Sequence, residues 1–473
     1  GAVVTIHAGA YYLPEPLEFT DADSGTAAAP IIYRAAEGEE VWLNGGIPLS
    51  LDEFGPVSDA STVARLDPAA RDHVRQIVLP DELRARISLE WPDTWWTYRR
   101  GVTALTELFA GGRRLPMARW PNEGYANFGE IIEAAEEEGE TPTFRYLGDR
   151  PERWVDAVAE GLWLYGYWRR GYRAELIRIK SIDTAEKKIE LAARNSLGSL
   201  EAGGASRHCA MHVLEELDAP GEWYLDRKRG VLFLWPPDSP DTSEVVVSVN
   251  PTAVVHCAEA DHLEFRGLGI ECSAGCGIRI DAGTGCRVVG CEVRNVGVHG
   301  IAATGDHIEV VGCDIHGTGD KAVRLDSGDR YTLTRGESII DNCHMHHTNR
   351  IVRAGSQAVS LLGVGNRLSH NLIHDTGYIA VRFAGNDHML EYNHLFRTNV
   401  ESAEGGVFYT GRDWTSRGSV VRYNFIHHVE DTQEGCGSST RFLHLDDSAP
   451  GIEVYGNVCY RIGGGVSICG GAA

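Results

Sequence analysis

Over the second half of the chain, apolar and polar positions alternate in short bursts that restart every few dozen residues. One burst reads GIRID from Gly277, GIAAT from Gly300, AVRLD from Ala322 and AVSLL from Ala358. It continues as AVRFA from Ala380, GVFYT from Gly406, FLHLD from Phe442 and GVSIC from Gly465. The second and fourth positions are apolar, the period of a strand with one face inward, and helical spacing is absent. A second phrase sets Cys or Asn two residues ahead of an apolar residue: CEVR at Cys291, CDIH at Cys313, CHMH at Cys343, NLIH at Asn371, NHLF at Asn393, NFIH at Asn424 and NVCY at Asn457. Counted from LGIE at Leu268, its intervals are 23, 22, 30, 28, 22, 31 and 33 residues. A fixed minimum with variable additions marks a repeat array whose extra residues leave as loops. The pattern predicts an all-β solenoid, a right-handed parallel β-helix. A β-propeller would need blades of about 40 to 45 residues.

Stacking such rungs about 4.8 Å apart superposes equivalent residues. Cys291, Cys313 and Cys343 then form an interior column continued by Asn371, Asn393, Asn424 and Asn457. Buried thiols pack as small apolar groups, and stacked Asn amides satisfy one another. Two outward columns are expected. One runs Arg279, Ala302, Arg324, Ser360, Arg382, Phe408, His444, and the other Asp281, Thr304, Asp326, Leu362, Ala384, Thr410, Asp446. His316, His346, His374 and His427 recur at one repeat position and read as a stacked structural column, so no metal or cofactor is assigned. The closing GVSIC strand would leave an open edge, from which the chain is expected to continue past Ala473 or to be covered there.

Residues 1–50 carry the first rungs in VVTIHAG, YYLPEPLEF, PIIYRAAEG and VWLNGG. Residues 51–243 read as an inserted β-rich module, barrel or sandwich, and residues 244–473 as the main helix. Composition divides the chain at the same place. Ten of the eleven Trp lie at or before Trp235, and fifteen of the nineteen His lie after residue 250. Within the module, Trp95 and Trp96 could present flat faces to a sugar ring.

Net charge is −23, which repels phosphate backbones and anionic membranes and weighs against polyanionic substrates unless a basic cleft overrides it. Eleven Cys without a CxxC pair disfavour a disulfide scaffold and a zinc ribbon. No apolar run reaches the ~18 residues of a membrane span. The opening GAVVTIHAG lacks a start Met and a basic leader and reads as a trimmed start.

The last rungs gather acids. ESAEGGVFYTGRDW and RFLHLDDSAPG bring Glu401, Glu404, Asp413, His444, Asp446 and Asp447 near Tyr409 and Trp414. Grouped carboxylates split an acid from a base, as glycosidic cleavage requires. Asp446, Glu404 and Asp413 are the candidate catalytic residues. His444, Asp447, Trp414, Tyr409, Arg382 and His374 are the candidate substrate contacts. A calcium site built from the same acids, or plain solvation of a loop, are the structural alternatives.

The runs AEGGVFYTGRDWTSRGSVVRYNFIHHV and LHLDDSAPGIEVYGNVCYRIGGG resemble bacterial β-helix carbohydrate-active proteins, with glycoside hydrolase families 120 and 141 the nearest. GEWYLDRKRGVLFLWPP and LFAGGRRLPMARWPNEG resemble the inserted module of that group. The resemblance implies hydrolysis of plant or microbial glycans, xylosides or fucosides among them, at an extracellular or periplasmic location. It maps the acid before the Gly-Gly pair to Glu404, where the pattern has Asp, and the acid of the LDD motif to Asp446. Stacking Val407 on Leu443 would put these two roughly 20 Å apart, so Asp413 stands as the reserve partner. Two other classes remain: a polysaccharide lyase or epimerase using Lys321, Arg324 or Arg382, and a glycan-binding solenoid without catalysis.

Overall fold

The structure is a computed structural model. It describes residues 1–87, the backbone of 94–95, and residues 104–201, 206–238, 243–402, 405–429 and 440–469. The protein is a parallel β-helix of three faces, each a sheet of ten strands. Every coil contributes one strand to each face in turn. The first coil supplies Ala2–Ile6, Gly9–Tyr12 and Leu17–Phe19, and the last Glu453–Tyr455, Val458–Ile462 and Gly464–Cys469. The faces are called sheets 1, 2 and 3 in that order. The CEVR-type phrase lies on sheet 2 and the GIRID-type phrase on sheet 3.

Alternation places one side chain per strand on the axis. Val293, Ile315, Met345, Ile373, Leu395 and Ile426 form such a column on sheet 2, and all are sealed from solvent. Sheet 1 contributes Val288, Val310, Ile340, Leu368, Leu390 and Val421 to the same core. At the corner between sheets 1 and 2 runs the Cys/Asn column. Asn371 Nδ2 donates to Asn393 Oδ1 at 3.0 Å, Asn393 Nδ2 to Asn424 Oδ1 at 2.9 Å, and Asn424 Nδ2 to Asn457 Oδ1 at 2.9 Å. The thiols do a version of the same work. Cys343 Sγ donates to the carbonyls of Asp341 and Val310, as Asn371 Nδ2 does to those of Ser369 and Ile340. One donor position and two acceptors per coil explain why Cys and Asn share this column.

The module interrupts the second coil between its sheet 2 strand, Val41–Asn44, and its sheet 3 strand, Ala253–Ala258. Its two junctions pair with each other: Gly46–Ser50 runs antiparallel to Glu244–Ser248, which also pairs with Leu108–Ala110. Beyond lies a seven-strand antiparallel path built on Trp163–Tyr167 and Glu175–Asp183, packed on Trp154, Trp168 and Phe144. The module folds back over the helix. Arg350, after a sheet 2 strand, holds Glu107 of the module through both guanidinium nitrogens at 2.5 and 2.7 Å. Tyr125 donates to Glu401 at 2.7 Å, and Ser402 donates to the Gly171 carbonyl at 2.5 Å. No helix among the described residues is long and apolar enough to cross a membrane.

Two register details differ from the sequence reading. Tyr409, not Phe408, lies between Arg382 and His444, and Gly411, not Thr410, is paired with Asp446. Phe408 and Thr410 both face inward. The extra inward residue is Val407, so that two consecutive apolar side chains are buried where the alternation expected one.

Candidate active groove

The outer face of sheet 3 and the overhanging module enclose a groove of about 820 Å³. Its floor is the outward row Arg324, Ser360, Arg382, Tyr409, His444, one residue per coil. One wall comes from the residues that lead into the sheet 3 strands: His299, Asp320, Lys321, Ser356, Gln357 and Tyr378. Tyr172, Arg173 and Leu197 of the module close the other side.

Asp446 stands at the end of the row. Its Oδ2 accepts a hydrogen bond from the Tyr409 hydroxyl at 2.7 Å and lies 3.2 Å from Arg412 Nε. His444 Nε2 is 3.8 Å from Oδ1, and both ring nitrogens of this buried histidine lack a hydrogen-bond partner among the described residues. Burial pushes the His444 imidazole below its ordinary pKa, against the attraction of Asp446. The backbone around the acid is strained: Arg412, Asp447 and Ser448 have φ of 62°, 24° and 62°. Left-handed residues other than Gly cost about 1 kcal/mol or more each and persist where the surroundings impose them. Gly411 fits for a steric reason, since a Cβ there would sit 1.9 Å from the Asp446 carbonyl oxygen.

At the opposite end, Asp320 is buried and accepts from Lys321 Nζ at 2.8 Å and from the Ser356 hydroxyl. Burial would raise its pKa, but Lys321, His299 and Ser356 outweigh it and hold the carboxyl below the ordinary value. His299 Nδ1 lies 3.6 Å away, and burial takes this imidazole down to about 4. Asp320 and Asp446 are the described carboxylates that line the groove. The coils of Val323 and Leu443 are four steps apart. That is roughly 19 Å at about 4.8 Å per step, outside the ~5 to 10 Å of a glycosidase pair.

The remaining candidates divide sharply. Tyr409, His444, Asp446 and Arg382 line the groove. Asp447 is more than half exposed and lies 3.7 Å from Arg412. Asp413 does not line the groove. It pairs with Arg330 and accepts from the Thr415 and Ser416 hydroxyls, which together outweigh burial and hold it well below the usual carboxylate range. Trp414 is 63% exposed and outside the groove. His374 is on sheet 2, stacked between His346 and Phe396. Glu404, Trp96 and the side chain of Trp95 lie outside the described residues. Sequence reasoning missed His299, Asp320 and Ser356 because they belong to loops. Their signal was position, since each lies one or two residues before a sheet 3 phrase.

No family model and no curated protein matches the chain. Among solved structures, a glycoside hydrolase superposes with a TM-score of 0.72 over 98% of this chain and 89% of that one, at 14% identity. The complex of XylC with xylose aligns over 94% of this chain and 69% of that one, at 10% identity and a TM-score of 0.46. At such identity the likeness is one of fold. It extends through the inserted module, since nearly the whole chain is covered.

Charge in the groove reverses that of the molecule. Arg173, Lys321, Arg324, Arg382 and Arg412 line it against the carboxylates of Asp320 and Asp446, in a chain of net charge −23. Lys321 is committed to Asp320, Arg324 to Asp326 and Arg412 to Asp446. Arg382, mid-row, has no hydrogen-bond or ion-pair partner among the described residues.

Proposed function

We propose that this protein is a glycan-cleaving enzyme, a glycoside hydrolase, whose groove takes a saccharide carrying an acidic group. The observation that carries the reading is the lone Arg382 cation beside Tyr409 and the caged Asp446, in a cleft more basic than the rest of the molecule. An Arg fork fits a carboxylate or sulfate bidentately. A carboxylate with Oδ2 held by Tyr409 and Arg412 is fixed in orientation, which suits a nucleophile or a base. Hydrolysis then consumes one water and leaves a new reducing end. The xyloside and fucoside expectation rests on the sequence resemblance alone. The acidic substituent is added by the groove.

A second reading, uronate β-elimination, is favoured by one observation: His444, its pKa lowered by burial and its ring nitrogens without a hydrogen-bond partner among the described residues, and the Tyr409 hydroxyl stand in the Arg382 row. A base would take the C5 proton, Arg382 would neutralise the carboxylate, and the leaving oxygen would depart with formation of a C4–C5 double bond. Incubation with uronate-containing xylan fragments, pectate and alginate separates the two. New reducing ends without ultraviolet absorbance support hydrolysis, absorbance of an unsaturated product supports elimination, and binding without product removes both. Asp446→Asn is expected to lower hydrolysis by about 10³-fold or more with folding intact. Unchanged turnover would exclude Asp446 from the chemistry.

A further inference from the structure

Sheet 2 carries a second cluster, on a different face of the coil from the groove. Two outward columns run side by side along it. One holds Glu292, Asp314, His344, Leu372 and His394, and the other Arg294, His316, His346, His374 and Phe396. Asp314 and His344 are register partners on neighbouring coils, and His346 lies two residues along the same strand, on the same face. The separations are 3.4 Å from Asp314 Oδ2 to His344 Nδ1 and 3.3 Å from Asp314 Oδ1 to His346 Nε2. One ligand atom from each of the three residues can be chosen so that all lie within 4.8 Å of one another.

The hydrogen bonds behind these atoms are compatible with tautomers that turn a lone pair of each imidazole toward the cluster. His344 Nε2 lies 2.8 Å from His374 Nε2, and His374 Nδ1 lies 2.6 Å from Asp375 Oδ2, which Arg397 holds in turn. The chain is satisfied when His374 gives its Nδ1 proton to Asp375 and His344 gives its Nε2 proton to His374. His344 Nδ1 is then a bare lone pair facing Asp314. His346 Nδ1 is likewise 2.7 Å from His347 Nδ1, and a proton given there leaves Nε2 bare toward the same carboxylate. Asp314 Oδ1 is sealed from solvent, and among the described residues its near contact is the ion-pair distance to His346 Nε2, 3.3 Å. Two lone pairs and a carboxylate pointed at one another repel unless a cation lies between them. Relays in which the far nitrogen of a ligating histidine is held by a further residue are the usual support of metal ligands.

We propose that Asp314, His344 and His346 form a binding site for a late first-row divalent cation, Zn²⁺ foremost, that ties two adjacent coils together. Two imidazoles and one carboxylate suit Zn²⁺. His346 Nε2 is 3.3 Å from one oxygen of Asp314 and His344 Nδ1 is 3.4 Å from the other, each near the ~3.3 Å edge of a tetrahedron with bonds of about 2.0 Å, and a set that uses a single Asp314 oxygen stays within 4.8 Å. The fourth position faces outward for water. The competing account of the same contacts is a protonated histidine paired with Asp314, which needs no metal.

The test uses the full chain without an affinity tag, stripped with chelator and titrated with Zn²⁺ by calorimetry at neutral pH, with thermal unfolding in parallel. One equivalent is expected to bind saturably and raise Tm. Asp314→Asn and the double variant His344→Ala/His346→Ala are each expected to weaken binding by at least about tenfold and abolish the Tm rise, with metal-free circular dichroism matching the parent. His394→Ala/His427→Ala removes another histidine pair, 2.7 Å apart, and is expected to keep full binding. Absence of saturable binding, affinity unchanged from the parent in the Asp314 or the His344/His346 variant, or loss on removing His394 and His427 would each overturn the site.

Discussion

His388 shows how a single side chain sets a pH limit on the fold. Its Nδ1 accepts from the Asn366 amide at 3.3 Å, and its Nε2–H donates to the Ala384 carbonyl at 3.2 Å, so the neutral ring is fully used. Burial lowers its pKa to about 4 from 6.5. A depressed histidine pKa means that the unfolded chain binds the proton more readily. The stability associated with the neutral ring is therefore complete above pH 6.5 and falls away as the pH drops towards 4. His388→Gln is expected to unfold more easily at neutral pH but to show a flatter decline over that window, by up to one proton in the slope of unfolding free energy against pH. Arg382 makes the matching prediction for the groove. Arg382→Gln is expected to raise KM for an acidic glycan by roughly tenfold, about 1.4 kcal/mol. Its kcat is expected to change little, and the salt dependence of kcat/KM to flatten. Equal KM for wild type and variant would remove the acidic-substrate reading while leaving Asp446 in place.

Among the elements, the corner column is where a local choice has the largest consequence. The Asn393 side chain takes part in four hydrogen bonds: it accepts at Oδ1 from the amide and the Nδ2 of Asn371, and donates through Nδ2 to the Leu368 carbonyl and to Asn424 Oδ1. Asn393→Ala strands buried partners on both neighbouring coils and is expected to cost about 2–4 kcal/mol in urea unfolding. Asn393→Cys is expected to recover part of that loss, because thiols at Cys313 and Cys343 already reach the equivalent carbonyls. If alanine and cysteine proved equally costly, the equivalence of the two residue types would fail.

For the whole molecule, the decisive contact is the one that presses the module onto the helix. Glu107 is buried, and although burial opposes ionisation, Arg350 and Arg114 hold its pKa at about 2. Arg350→Met removes the helix side of this ion pair. Breaking a buried pair by deleting one partner costs about 3–5 kcal/mol, and here it should loosen the wall that carries Tyr172 and Arg173. Faster proteolysis within the module and a lower kcat/KM are expected, with a smaller effect on proteolysis of the β-helix coils. Because the depressed carboxyl is Glu107, this docking is also expected to weaken as the pH falls below about 4.5 towards 2, the interval in which the unfolded chain takes up its proton.

The sequence by itself determined the solenoid. Strand period, the 22-residue minimum and the Cys/Asn column are local and repeated, and each repeat obeys the same stacking rule, so one chain is enough to read them. It also put Arg382 and His444 in one row with Asp446 in the next, because coil stacking converts sequence offsets directly into neighbours. The tertiary structure decided what repeats do not encode. Two consecutive buried residues, Val407 and Phe408, shifted one row and brought Tyr409 onto Asp446. Asp413 was claimed by Arg330, a residue 83 positions away in an inserted loop. The cations that make the groove basic come from loops and from a module with no period, and their sum ran against the −23 of the chain. A column of histidines became a candidate cation site only through the direction of its hydrogen bonds. Register and periodicity are properties of the chain; the orientation of a donor, and who neutralises a charge, depend on neighbours that only folding supplies.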